Sequence, residues 1–383
     1  MDKYKHYNIA LVLYTQGLDY DDRIRKEMLS VMEIYPNVVF KIFAVESKNR
    51  EEEGVTSYGV PYRIPYLKTR DKYPSATHKL AKAFDFYRSI KKDLKKFDAI
   101  WCADIETFLF VLFIRKPILW DLHELPSAFM RGTIQKTLFK CLERKVKVMV
   151  HANEPRLEYL KELGMIKHPN KQHVLRNYPQ FNEIDSEYDN LYQDFVKWKG
   201  EDRCVYLQGL SQLDRAPYET VASVLESPGL KAVVIGGFND SVLKRLNDTY
   251  GVETVKQRVF FTGRIKQKKT PQFIHQCFAT MVFYQKEDMN NYYCEPNRLF
   301  QNLINGNPVV VGCNPPMKDV VERFDVGIVL KSDGTDLNDN KDGLRMLMTN
   351  YDHYKVNLKT AKKSLLWDNQ NEEIRVIVNE LLS

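Results

Sequence analysis

The sequence predicts an α/β protein built from two doubly wound parallel-sheet domains. Three observations lead there. Short apolar runs alternate with longer segments of helical periodicity along most of the 383 residues, the mark of successive βα units. Those runs are nearly continuous apolar stretches, as strands buried on both faces are. The rhythm breaks once, over residues 177–202, where Arg176-Asn-Tyr-Pro leads into an acidic and aromatic stretch, and then restarts. A break of that kind reads as a connection between two domains of about equal size.

In the first half, the opening strand is Tyr7–Tyr14, followed by a helix over Asp22–Ile34 and a strand over Val38–Val45. Leu80, Phe84, Tyr87, Ile90 and Leu94 recur at three-to-four spacing, so the segment from Thr77 to Lys96 reads as an amphipathic helix with those side chains as its apolar face. Further strands are expected at 99–102, 118–121 and 147–151. After the break, strands are expected at 204–208, 232–236, 259–262, 279–283, 309–312 and 327–330, with helices between. The domains then run over 1–178 and 179–363, with a terminal helix over 364–383. In such folds ligands bind beyond the carboxyl ends of the strands, so the loops there are the place to look for chemistry.

Composition narrows the classes. Hydrophobic residues at 44% and charged residues at 28% exclude wholesale disorder. The longest apolar stretch, 108–114, falls far short of the ~18–20 residues of a membrane span. The N-terminus has no long apolar core and no small-residue cleavage site. A cytoplasmic protein is expected. Six cysteines without a CxxC pair and eight histidines without HExxH argue against zinc, disulfides or any structural metal. With neither GxGxxG after the first strand nor GxxxxGK[ST], dinucleotide oxidoreductases and P-loop NTPases lose their main signal. The net charge is +7, and residues 65–97 alone hold ten Lys/Arg against three Asp. Such a block suits an anionic partner, and with no nucleic-acid motif beside it a bilayer surface is the better reading than nucleic acid.

Several segments, in order, resemble the retaining glycosyltransferases of the GT-B fold, group 1 (family 4). Asp22-Arg-Ile-Arg-Lys-Glu is similar to the family's opening helix D-x-R-V-x-K-E, and Trp120-Asp-Leu-His-Glu-Leu-Pro to its D-x-H-E-x-P element. Val174-Leu-Arg-Asn-Tyr-Pro resembles the entry to the linker, Leu207-Gln-Gly-Leu-Ser-Gln-Leu-Asp-Arg the first loop of the second domain, and Arg258-Val-Phe-Phe-Thr-Gly-Arg its V-x-F-x-G segment. Glu295-Pro-Asn-Arg-Leu-Phe-Gln, running on to Gly306-Asn-Pro-Val-Val, resembles the signature P-N-K-L-F-E-x-x-x-x-G-x-P-V-V. Leu365-Leu-Trp-Asp through Leu382 resembles the helix that crosses back to the first domain. No one piece is specific; the ordered set is.

The resemblance implies two Rossmann-like domains facing a central cleft and a metal-independent hexosyltransferase. It would move a sugar from a UDP- or GDP-linked donor, a co-substrate rather than a cofactor, to a glycan or lipid-linked acceptor in surface polysaccharide or glycolipid synthesis. Attack would come from the same face as the departing diphosphate, whose oxygen serves as base. With no Asp-x-Asp at a strand end, the diphosphate charge falls to cationic side chains and backbone N–H groups. Arg215, six residues after Gly209, would bring a guanidinium fork to it, and Arg264 would act likewise after Thr262-Gly263. Pro296 at the first helical position would leave the N–H groups of Asn297, Arg298 and Leu299 facing an anion, with Arg298 adding a second cation.

His123 is implied to face the transferred sugar, with Glu124 orienting it or capping the following turn. Gly17 would let a substrate approach the backbone, and Asp22 and Arg23 would pair with each other. The helix from Thr77 to Lys96 matches, in position and charge, the stretch by which such enzymes sit on anionic membranes. There is one departure. Gln301 stands where the family places a glutamate on the ribose hydroxyls, and Tyr293 replaces the glutamate eight residues earlier, with Glu295 nearby. An amide bonds a hydroxyl without the charge assistance of a carboxylate. That departure motivates two alternatives: a GT-B-like binding or partner protein without turnover, and a GT-B-fold sugar-nucleotide epimerase.

Overall fold

The computed structural model describes residues 5–73, 78–180 and 189–383, and the chain divides into two compact units. Unit 1 comprises the chain up to Arg176 together with Gln370–Ser383. Its sheet contains β1 (Tyr7–Tyr14), β2 (Val38–Val45), β3 (Glu52–Val55), β4 (Pro61–Ile64), β5 (Ala99–Ala103), β6 (Ile118–Leu122), β7 (Val148–His151) and β8 (Gln172–Val174), in the order β3-β4-β2-β1-β5-β6-β7-β8. Every neighbour pair is parallel except β3 against β4. Strands β5 and β6 are buried along their whole length, which is why they read as unbroken apolar runs.

Unit 2, Asn177–Asn369, holds β9 (Arg203–Gln208), β10 (Leu230–Ile235), β11 (Val259–Gly263), β12 (Ala279–Val282), β13 (Val309–Val311) and β14 (Gly327–Val329). They are all parallel, in the order β11-β10-β9-β12-β13-β14. The winding reverses between β1 and β5 in one unit and between β9 and β12 in the other. Doubly wound sheets bind ligands at that reversal, beyond the carboxyl ends. Among the described residues no helix is long and apolar enough to cross a membrane.

Three strands escape the sequence reading: β3, β4 and β8. They are three or four residues long, and β3 is a polar, half-exposed edge hairpin partner, so no apolar run marks it. The basic helix also differs. Thr77 lies outside the described residues; the helix spans Lys79–Ile90 and a separate 3₁₀ turn follows over Asp93–Lys96. Its buried side chains are Ala83, Phe86 and Ile90, while Leu80 and Phe84 are exposed. The period is right but the face is rotated, because Phe86 packs edge-on against Tyr14 and Phe110 of the unit-1 core.

The terminal helix Asn371–Leu382 buries Ile374, Ile377, Val378 and Leu381 and packs within unit 1 on the helix Asp22–Ile34 and on β7 and β8. His173 of β8 fastens it: Nδ1 lies 2.7 Å from Glu373 and Nε2 3.0 Å from Glu380. Burial lowers the imidazole pKa, but the two carboxylates outweigh it and hold it above the usual value. A group raised in the folded state adds stability that is full below the unfolded value of roughly 6.5 and is lost as pH rises through the folded one. Exchange protection of the terminal helix, corrected for intrinsic rate, is therefore expected to fall as pH rises past neutrality. In His173→Gln that fall should vanish; an unchanged fall would reject the clamp.

Candidate functional site

At the reversal in unit 2, β9 ends at Gln208 and the chain turns on Gly209, whose φ of 78° is open to few side chains. Two guanidinium groups converge there from different elements. Arg215 Nη1 donates to the Gly209 carbonyl at 2.8 Å. Arg298, in the first turn of the helix Asn297–Ile304, donates from Nη1 to the Gln208 carbonyl and from Nη2 to the Phe283 carbonyl at 3.2 Å. Both sit over the ring of Tyr284, with guanidinium carbons 5.1 and 4.9 Å from its centroid. Neither has a carboxylate partner among the described residues, and the Nε atoms of both are buried without a hydrogen bond. Burial, with Arg215 adding repulsion, pushes the Arg298 pKa down from its usual value. Two unneutralised cations at a strand end invite an anion.

A cavity of about 400 Å³ opens beside them, lined by Gln208, Ile235, Gly236, Arg264, Ile265, Gln267, Thr270, Asn297, Arg298 and Gln301. It gathers four of the residues expected from sequence: Arg264, Asn297, Arg298 and Gln301. Among the described residues no acidic side chain lines it. Arg215 does not line it; it meets the lining residue Arg298 at Gly209. Glu295 is half-buried and does not line it. Leu299 does not either: its side chain is in the core beside Phe300 and Val282, and its N–H donates to the Pro296 carbonyl at 2.9 Å. The anion-facing role expected of Leu299 is thus taken up by the protein itself. Pro296 is the cap rather than the first helical residue, with an extended backbone of φ −79° and ψ 144°. The N–H groups of Asn297 and Arg298 remain at the open end, as first-turn donors have no intrahelical acceptor.

A Cβ on Gly209 would stand 2.4 Å from Arg215 Nη1 and 2.5 Å from Arg298 Nη1. Gly209→Ala is expected to cost about 1–2 kcal/mol in backbone strain and to force the two guanidinium groups apart. The check is thermal unfolding with and without nucleoside diphosphate: the ligand-induced shift should disappear. A shift equal to the wild type's would show that the paired cations do not hold the ligand.

In unit 1 the reversal carries a buried charge cluster. His123, just past β6, places Nε2 at 3.0 Å from Asp121 and Nδ1 at 3.2 Å from Asp104. Its N–H donates to Asp104 at 2.9 Å and its carbonyl accepts from Arg156. Arg23 Nη2 reaches Asp121 at 3.1 Å, Nη1 donates to the Leu175 carbonyl at 2.8 Å, and Nε lies 2.9 Å from Glu27. Burial opposes charge on His123, yet Asp104 and Asp121 together raise its pKa well above the usual value. Burial likewise pushes Asp121 up, and Arg23 with His123 overcomes it, holding the carboxyl far below the usual range. For Glu27 burial wins, and its pKa lies well above normal.

Glu27, Asp121 and His123 present ligand atoms within 4.8 Å of one another, a grouping that suits a metal ion. The Arg23 guanidinium already provides the cation for both carboxylates.

One expectation changes here. Arg23 does not pair with Asp22, which bonds Arg25 at 2.6 Å and Lys26 at 3.1 Å; Arg23 turns inward instead. His123 is held by Asp104 and Asp121. Gly17 has φ 177°, extended backbone that any residue adopts, so no left-handed turn demands glycine there. Sequence reasoning missed Asp104, Arg156 and Tyr284. The signal for two of them was present: Asp104 and Tyr284 lie just beyond the carboxyl ends of β5 and β12. Asp104 also sits at φ 59°, strained for a residue with a Cβ and held there by its bonds to His123, Trp120 and Thr107.

No protein-family model and no curated protein sequence matches the chain. Solved structures do. Sucrose-phosphate synthase (tll1590) from Thermosynechococcus elongatus superposes with a TM-score of 0.74 at 12% identity, covering 98% of this chain and 99% of that one. Anabaena Alr3699/HepE in complex with UDP gives 0.70 at 12%, over 97% and 99%. A UDP-forming trehalose-phosphate synthase from Burkholderia xenovorans gives 0.66 at 9%, over 99% and 100%. At such identity a likeness establishes architecture, and with the two sheet orders above it bears out what the ordered motifs implied: the chain has the GT-B fold.

Proposed function

We propose that the protein is a retaining glycosyltransferase that takes a sugar from a nucleoside-diphosphate donor, binds the diphosphate in unit 2 without a resident metal, and passes the sugar to a hydroxyl of a glycan or lipid-linked acceptor. The observation that carries this reading is the convergence of Arg215 and Arg298 on Gly209, stacked on Tyr284 and unneutralised. A departing diphosphate gathers negative charge, and preorganised donors aimed at it lower the barrier. The open N–H groups of Asn297 and Arg298 add the positive end of a helix. Gln301, Gln208 and Asn297 offer neutral amides to base and ribose. The similar structures named above include one in complex with UDP, which makes uridine the first base to test.

Transfer to a lipid-linked acceptor in polysaccharide or glycolipid synthesis, at an anionic membrane face, is the pathway this reading favours, on the strength of the basic block at 65–97.

A second reading, binding without turnover, draws on one observation: both ring nitrogens, the N–H and the carbonyl of His123 are all engaged within unit 1. A thermal-shift screen of UDP, GDP, ADP and CDP, followed by donor hydrolysis with the best base, decides. Ligand binding to the native state raises apparent stability by mass action. Stabilisation with hydrolysis supports the enzyme; stabilisation without turnover of any donor supports the binding protein; no stabilisation by any nucleotide rejects both.

A further inference from the structure

Unit 1 holds a second cavity, of about 560 Å³, lined by Tyr87, Lys91, Lys92, Leu94, Lys95, Phe113, Ile114, Arg115 and Lys116. It lies on the segments that lead into β5 and β6, at the amino ends of the sheet. The His123 cluster and the strand reversal are at the carboxyl ends, so this cavity belongs to neither. Four lysines and an arginine surround it, and among the described residues none of the five pairs with a carboxylate. Asp93, the acidic side chain within this stretch, is taken by Arg63 at 2.6 Å and by Lys96. Lys145 adds a sixth cation close by: burial and the charge of Arg115 push its pKa down. One wall is apolar, with the Tyr87 and Phe113 rings 5.4 Å apart and Leu94 buried behind them.

We infer that this cavity is a binding site for a ligand carrying two or more closely spaced phosphate groups, with its uncharged part against Tyr87 and Phe113. Five like charges around one hollow repel one another while it is empty, and a multiply charged anion converts that repulsion into attraction. A single phosphate would use one or two of the cations; the spread from Lys91 to Lys116 calls for more than one group. Charge-assisted contacts to phosphate supply the affinity, and the aromatic wall supplies selection for a ligand with an apolar or ring portion.

The test is calorimetric titration of the full chain with inorganic tripolyphosphate, and flotation with phosphatidylcholine vesicles with and without a phosphoinositide. The variants are Lys92→Gln/Lys95→Gln/Arg115→Gln and, as a charge-matched control on the helix Tyr351–Ser364 of unit 2, Lys359→Gln/Lys362→Gln/Lys363→Gln. All six residues are exposed, so thermal unfolding should be unchanged. Tripolyphosphate binding weakened roughly tenfold or more in the first variant and not in the control supports the site. Phosphoinositide-vesicle binding that the first variant loses and tripolyphosphate competes away also supports it, and identifies a lipid head group as the source. Equal loss in the control, equal binding by the first variant, or no binding of either probe by the wild type overturns it.

Discussion

Replacing Arg215 by alanine is expected to lower sugar transfer by roughly 10²–10³-fold, the scale seen when one preorganised donor to a developing charge is removed. The fold should survive. Arg215 is half-buried on a loop, and of its hydrogen bonds the one to the Gly209 carbonyl can be replaced by water. If the guanidinium acts on the departing diphosphate, the loss falls mainly on kcat, because charge on that group is greatest in the transition state. Arg215→Lys keeps the charge but not the planar fork that lies over Tyr284 and meets two oxygens at once, so it should recover part of the rate.

Arg298 behaves differently. It is nearly fully buried and ties Gln208 to Phe283. Truncating it leaves two carbonyls without their donor, and binding and stability should fall together. Donor turnover at saturating and limiting concentrations, with denaturation curves for each variant, separates the two patterns. An Arg215→Ala enzyme within about threefold of wild type in kcat would remove the diphosphate from this site.

How much of this was legible beforehand depends on the period of each segment. All six strands of unit 2 show in the sequence as short, mostly apolar runs bounded by turn residues, because the central strands of that sheet are buried on both faces. The hairpin β3 and β4 does not, since Glu52, Glu53 and Arg63 are half-buried or exposed, Glu53 pairing with Arg63 and Lys41 and Glu52 with Arg50. In the basic helix, period alone leaves the rotation open. Phe84 and Phe86 both fit an apolar face, and only the position of Tyr14 and Phe110 in space makes Phe86 the buried one. The site divides in the same way. Arg215, Arg264, Arg298 and Gln301 could be named because motifs fix their place at strand ends and a helix start. The inward turn of Arg23 could not, since its partners Asp121 and Leu175 are about a hundred residues or more away along the chain.

That long-range pairing gives the largest expected effect on stability. Asp121 is fully buried between the Arg23 guanidinium and the His123 ring, so Asp121→Asn removes the charge that compensates both while leaving the cations in place. Breaking a buried pair from one side costs about 3–5 kcal/mol. Glu27→Gln at the next position in the cluster should cost less than Asp121→Asn, because burial already works against the charge on Glu27 and raises its pKa. The pH dependence follows from the directions of the shifts. The Asp121 pKa is depressed, so its contribution is full above the unfolded value of roughly 3.9 and is lost only as pH falls through the folded one. In chemical denaturation, the share of the gap between wild type and Asp121→Asn that comes from Asp121's own titration should accordingly hold steady down to about pH 4 and close below it, while the part that Asp121 lends to His123 shrinks as pH rises past about 6.5. His123, whose pKa is raised, moves oppositely: its contribution is full below roughly 6.5 and lost as pH rises through its folded value. If Glu27→Gln proves as damaging as Asp121→Asn, the assignment of the charge to Asp121 alone fails, and both carboxylates hold the cluster together.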